Sequence, residues 1–150
     1  MDAVTYPDLG VIAFVDENMI PLRVKHDAQP LAKDFNVTRT PTMVTLDAEG
    51  KEHHRTIGFL APQELIPSLL LGISKVSLDV GRFDEALVEL EGLIRAFPES
   101  SSAPEAIYLR GVRLFRNTND SSNLKEAYER LQATFPESKW TKRAYPYRLL

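Results

Sequence analysis

The sequence predicts a mixed α/β segment followed by an all-α array of helix hairpins, and three observations carry that expectation. Up to about Gly58 the apolar residues fall in alternating strand-like and helical runs, whereas from about Pro62 every apolar spacing fits the helical period. The stretch Asp47-Ala-Glu-Gly50 sets a glycine that tolerates positive φ between two strand-like runs, as a hairpin requires. Within the helical part, Phe97-Pro-Glu-Ser100 recurs as Phe135-Pro-Glu-Ser138 at an offset of 38 residues. The predicted parts are residues 1–72 and 73–150, with the first helix of the second part starting near 62.

In the first part, Asp8 is placed to cap a helix whose apolar face is Val11, Ile12, Phe14 and Val15. Ile20 to Lys25 alternates apolar and polar past Pro21 and predicts a strand. Pro30 to Phe35 suits a short helix, because proline is tolerated in a first turn. Met43–Leu46 and Glu52–Ile57 then form the predicted antiparallel hairpin. Thr40-Pro41-Thr42 stands at the start of its first strand, where a residue without an N–H does not interrupt a ladder.

The second part reads as paired helices. Pro62 starts one through Leu65, Leu69, Ile73 and Val76; Gly81 ends it, and Asp84 is placed to cap a partner through Leu87, Leu90, Ile94 and Phe97. Pro104 opens the next, carrying Ile107, Tyr108, Val112 and Phe115. Asn117–Asn123 form a polar loop before a helix marked by Leu124, Tyr128, Leu131 and Phe135. Ser138 is placed to cap a last start near Trp140, and Pro146 should end or kink it. At the 38-residue offset Leu90 meets Tyr128, Leu93 meets Leu131 and Ala106 meets Ala144.

With 150 residues, 43% hydrophobic and 26% charged, the chain is long enough for one domain or two small ones. A net charge of -3 and the lack of a basic run argue against nucleic acid and anionic lipid as partners. No stretch approaches the roughly 20 apolar residues of a membrane span, and the first residues lack a signal peptide's pattern. A cytoplasmic location is expected, or a periplasmic one if a signal peptide lies upstream. There is no cysteine, so the chain cannot exchange thiols and disulfides with its own side chains. No phosphate-loop, dinucleotide or zinc-protease motif occurs, and neither cofactor nor metal is expected. His53 and His54, adjacent on a strand, should face opposite ways and so cannot share an ion. His26, beside Asp27, reads as a solvated loop residue. No carboxylate dyad or other catalytic residue is predicted.

The succession Thr5-Tyr-Pro-Asp8, Ile20-Pro-Leu-Arg-Val24, Leu31 to Val37, Thr40-Pro41-Thr42, Asp47 to Gly50 and Gly58-Phe59 resembles the thioredoxin-like fold over residues 1 to about 72. The resemblance implies that the Thr40–Pro41 peptide is cis and that Thr40 pairs its backbone with an extended substrate. On the residues alone, Pro41 equally just starts a strand. The family's first strand and Cys-x-x-Cys precede the segment matching Tyr6-Pro7-Asp8, so the thioredoxin-like part is incomplete. The missing strand belongs between residues 20–25 and 43–46. The expectation is therefore a fragment or mis-started frame of a longer protein, or a slot filled by another segment or by self-association.

The helical part resembles the tetratricopeptide repeat through Gly81-Arg-Phe-Asp-Glu-Ala86 with Pro98 twelve residues on, and through Ala103-Pro-Glu-Ala-Ile-Tyr108 with Gly111. Its second unit exceeds the family's period, and its third is partial. The resemblance implies a peptide-holding groove drawing on exposed faces of Ser74–Ser77 and Tyr108–Phe115. Tyr108, Phe115 and Trp140 also suit plain inter-helix core. Together the resemblances imply a non-catalytic protein that binds polypeptide partners through Thr40, Pro41 and Arg39 and, in the repeats, Tyr108 and Phe115. Arg39 would favour acidic or carbonyl-rich backbone, although surface solubility also accounts for it. The alternatives are a thiol-disulfide oxidoreductase whose Cys-x-x-Cys lies upstream of Met1, and a structural scaffold.

Overall fold

Asp8 does cap the first helix. In the computed structural model, which describes residues 1–150, its carboxylate accepts from the Val11 N–H at 3.0 Å and α1 runs Leu9–Asn18. Only Val11 of its apolar residues is buried; Ile12 is exposed. A single helical turn, α2, spans Leu31–Asp34.

Residues 20–25 are a correction. They form no strand, and Ile20 and Leu22 are 97% and 78% exposed. A strand exists only by pairing, and nothing in the chain offers these residues a ladder. The sole sheet is the antiparallel hairpin of β1, Thr42–Leu46, and β2, Glu52–Ile57. Its turn closes as expected: Asp47 Oδ1 accepts from the N–H groups of Glu49 and Lys51, and Gly50 takes φ 81°. Opposite Thr45 and Leu46 the register slips, pairing Thr45 with His54 and Leu46 with Glu52, so that His53 is the extra residue of a β-bulge.

The helical array follows the predicted order, with α3 over Pro62–Asp79, α4 over Phe83–Ala96, α5 over Ala103–Thr118, α6 over Ser122–Thr134 and α7 over Lys139–Ala144. Gly81 ends the first hairpin turn at φ 83°. Asp84 is no cap. Arg82 occupies the cap position of α4, and Asp84 lies in the first turn, where its charge favours the helix dipole without accepting a capping bond. The polar loop is also shorter than 117–123: α5 continues through Thr118, closes on the left-handed Asn119, and α6 begins at Ser122. Ser138 caps α7 by accepting from the Trp140 N–H, and Pro146 falls in a 3₁₀ turn, Tyr145–Leu149, beyond it.

The sequence repeat is a structural one. Phe97 and Phe135 both have φ −133° and ψ 56°, and each donates its N–H at 2.8 Å to the residue four back, Leu93 and Leu131. Leu93 and Leu131 are fully buried, as are Ala106 and Ala144. These residues, with Leu71, Leu90, Ile94 and Ile107, form the one large apolar core. Small residues let the helices close up: a Cβ on Gly111 would lie 2.5 Å from the Ala127 Cβ, and one on Gly72 would lie 2.5 Å from Thr45 Oγ1. Before residue 60, Val11 is the only buried apolar side chain. The hairpin therefore leans on α3 through one face, while on the other Arg55 donates to the Phe35 carbonyl at 2.6 Å. The chain is thus mostly helical with one small antiparallel sheet, and no helix is long and apolar enough to cross a membrane.

Candidate functional site

The Thr40–Pro41 segment sits where β1 begins. Arg39 and Thr40 are exposed and Pro41 is half-buried. Thr42 Oγ1 donates to the Arg39 carbonyl at 2.6 Å, Gly58 donates to the Pro41 carbonyl at 2.8 Å, and the Thr40–Pro41 peptide is cis. The Arg39 guanidinium has no carboxylate within salt-bridge reach. Because β1 pairs only with β2, its other edge carries unpaired backbone donors and acceptors. Ile57 and Phe59, just past the hairpin, are 53% and 59% exposed.

The predicted groove does not have the predicted walls. Ser74 and Ser77 are fully buried, Ser74 donating to the Leu70 carbonyl at 2.9 Å and Ser77 to Glu89 Oε1 at 3.1 Å. The second hydroxyl faces α4, so the seam between α3 and α4 takes the face assigned to the groove. Tyr108 packs between helices, its ring centroid 5.1 Å from that of Trp140 and 6.1 Å from that of Tyr147. The Tyr108 and Tyr147 hydroxyls are 3.2 Å apart; burial, then this bond, push the Tyr147 phenol up to about 12. Phe115 is half-buried in the last turn of α5.

A cleft of about 580 Å³, lined by Glu52, His53, His54, Arg55, Lys75, Glu105, Lys139 and Trp140, opens between β2, α3, α5 and α7. The bulge makes it. The two histidines do not face opposite ways as an unbroken strand would have them, for both rings meet α3. His53 Nδ1 lies 2.7 Å from Asp79 Oδ2 and its Nε2 lies 2.7 Å from Asp47 Oδ2, with only 1% of the side chain exposed. Carboxylates on both nitrogens require both to be donors, so the ring is an imidazolium, and the bond to Asp47 holds its pKa above the usual value. His54 is the reverse. Its Nδ1 is 3.2 Å from Lys75 Nζ and its Nε2 3.2 Å from Ser68 Oγ, and burial followed by the Lys75 charge lowers its pKa to about 4. Lys75 also pairs with Glu105, while Arg55 forks onto Glu52 at 2.6 and 2.7 Å.

These groups neutralise one another more than they offer themselves to a ligand. Both nitrogens of His53 are engaged. Ser68, although bonded to His54, is buried and lies outside the lining of the cleft, so the hydroxyl–imidazole pair has no path to a substrate. No group of three His, Cys, Asp or Glu side chains converges to hold a metal ion. His26 lies exposed in the loop before α2, away from these clusters. The sequence does carry one signal for the cleft: Lys75 is the only charged residue between Glu64 and Asp79 in an otherwise apolar and small-residue helix. No family model matches the chain, and neither does any curated protein or solved structure.

Proposed function

We propose that the chain is a non-catalytic polypeptide-binding module, a thioredoxin-like part joined to tetratricopeptide-like helix hairpins. An extended segment of the partner docks along the free edge of β1 at Thr40–Pro41. The observation that carries this reading is the coincidence of an unpaired sheet edge at β1 with residues 20–25, which pair with no strand and leave Ile20, Leu22 and Val24 exposed. A bound strand would satisfy backbone groups that the chain leaves to water, and would gain its affinity from main-chain hydrogen bonds. Arg39, exposed and without a counter-ion, would then face the partner's carbonyls or acidic side chains. The 38-residue repeat supports the second half of the reading, since stacked helix pairs present extended surfaces.

Fluorescence anisotropy with a labelled, reduced and carboxymethylated unfolded polypeptide tests the proposal. Saturable binding is expected. Thr40→Arg should weaken it by about tenfold, the loss of one or two main-chain bonds of ~0.5–1.5 kcal/mol each, with circular dichroism unchanged. Equal affinities for the variant and the parent would remove Thr40–Pro41 as the site, and an absence of binding would remove the function.

A further inference from the structure

The strongest unexplained feature is the ring of His54. An ammonium has only protons to give, so Lys75 Nζ at 3.2 Å can bond Nδ1 only if that nitrogen keeps its lone pair. The remaining proton then sits on Nε2, aimed at Ser68 Oγ, whose hydroxyl is 2.9 Å from Thr56 Oγ1. The neutral tautomer is thus fixed by a donor at Nδ1, Lys75, and an acceptor at Nε2, Ser68. The chain Thr56–Ser68–His54–Lys75–Glu105 runs from β2 through α3 to α5, tying the hairpin to the helical array. Elsewhere α3 is tied to α4 by Ser77, which donates to Glu89, and to the turn before α5 by Glu64, which accepts from the Ser101 N–H and hydroxyl.

We propose that this chain is a proton-operated latch, in which uptake of one proton at His54 Nδ1 expels Lys75 and loosens the β-hairpin from α3 and α5. The groups that face the ring from every side give a new cation no welcome. On its own strand Glu52 is spent on Arg55; from α5 Glu105 is spent on Lys75; from α7 the free charge is Lys139, another cation. His53, next along, is held positive between Asp47 and Asp79. A protonated His54 would therefore stand beside Lys75 with no carboxylate to itself. Because the folded ring resists protonation and the unfolded one does not, the tie is complete above the ordinary histidine value of about 6.5 and is lost as the pH falls toward 4. Each pH unit in that window raises the opening equilibrium about tenfold, so about 30-fold at pH 5. The inference does not rest on the polypeptide-binding role.

The full chain tests it, by nuclear magnetic resonance of the histidine C–H signals and by amide hydrogen exchange between pH 4 and 8. His54 should titrate far below the ordinary histidine value of about 6.5, and Lys75→Met should move that midpoint upward. Protection of the β1 and β2 amides should fall below pH 6.5 while α6 keeps its own, and His54→Gln should abolish the fall. A wild-type His54 that titrates near 6.5, a midpoint indifferent to Lys75→Met, or β2 protection that falls equally in His54→Gln would each overturn the latch. The Lys75→Met titration decides the matter by itself if the His54→Gln protein does not fold.

Discussion

Gly111 and Gly92 are interior glycines of α5 and α4, and replacing each by alanine should move stability in opposite directions. Alanine in place of glycine favours a helix interior by about 0.8–1.0 kcal/mol wherever the methyl group fits. At Gly92 nothing lies within 4 Å of the added Cβ, so Gly92→Ala should gain close to that full amount. At Gly111 the new Cβ would stand 2.5 Å from the Ala127 Cβ and 3.0 Å from the Asn123 carbonyl oxygen, on the helix that packs against it. Carbon–carbon contact is comfortable at about 3.5–4.0 Å, so α5 and α6 must part by about 1 Å. Both neighbours belong to the α6 backbone or its shortest side chain, and neither can rotate away. Overpacking of this kind costs about 1–3 kcal/mol, leaving Gly111→Ala less stable than the parent by up to about 2 kcal/mol after the propensity gain. Urea unfolding followed by circular dichroism gives both values. The double change Gly111→Ala with Ala127→Gly should recover part of the loss, because it relocates the methyl group instead of adding one. A Gly111→Ala protein as stable as Gly92→Ala would show that α5 and α6 do not close as described.

His53 should govern the alkaline side of stability. Its folded pKa is raised by Asp47, so its contribution is whole below about 6.5 and fades as pH climbs through the folded value. The urea midpoint should decline above about pH 6.5 in the parent and stay flat, from a lower start, in His53→Gln; parallel curves would contradict an imidazolium held between Asp47 and Asp79. Tyr108→Phe should bring one tyrosine's ionisation down from about 12 toward 10 in an ultraviolet titration, at a cost of ~0.5–1.5 kcal/mol for the lost hydroxyl bond. An unaltered titration curve would mean that the two phenols do not pair.

What the sequence made legible follows from the range of the forces involved. Proline at Pro62 and Pro104, glycine at Gly50 and Gly81, and the Asp8 and Ser138 caps act on the few residues beside them, so their positions announce their roles. Even there a near neighbour can displace a plausible residue, as Arg82 displaces Asp84 from the cap of α4. The strand at 20–25 failed for a different reason. Alternation records what a segment would do beside a partner, and it cannot say whether the partner exists. The cleft was hidden by a single residue. Alternation along Glu52–Ile57 sends His53 and His54 apart, and only the bulge, a property of how β1 and β2 register, turns both toward α3. The repeat resemblance implies an open groove wall at Ser74–Ser77, yet a hydroxyl that can bond its own helix or the next one is equally at ease buried, as Ser74 and Ser77 are.

The turns at Phe97 and Phe135 share their backbone angles to the degree. From that shared turn the two paths part: after Phe97 the chain passes through Ser100 to Ser102 before α5 opens at Ala103, whereas after Phe135 Ser138 caps α7 at once. Tyr147 stacks back on Tyr108 and Tyr145 meets Tyr128 edge-on, so the segment after α7 is sewn by its rings to both helices of the second pair, and a short, exposed stretch of chain holds its place through aromatic contacts.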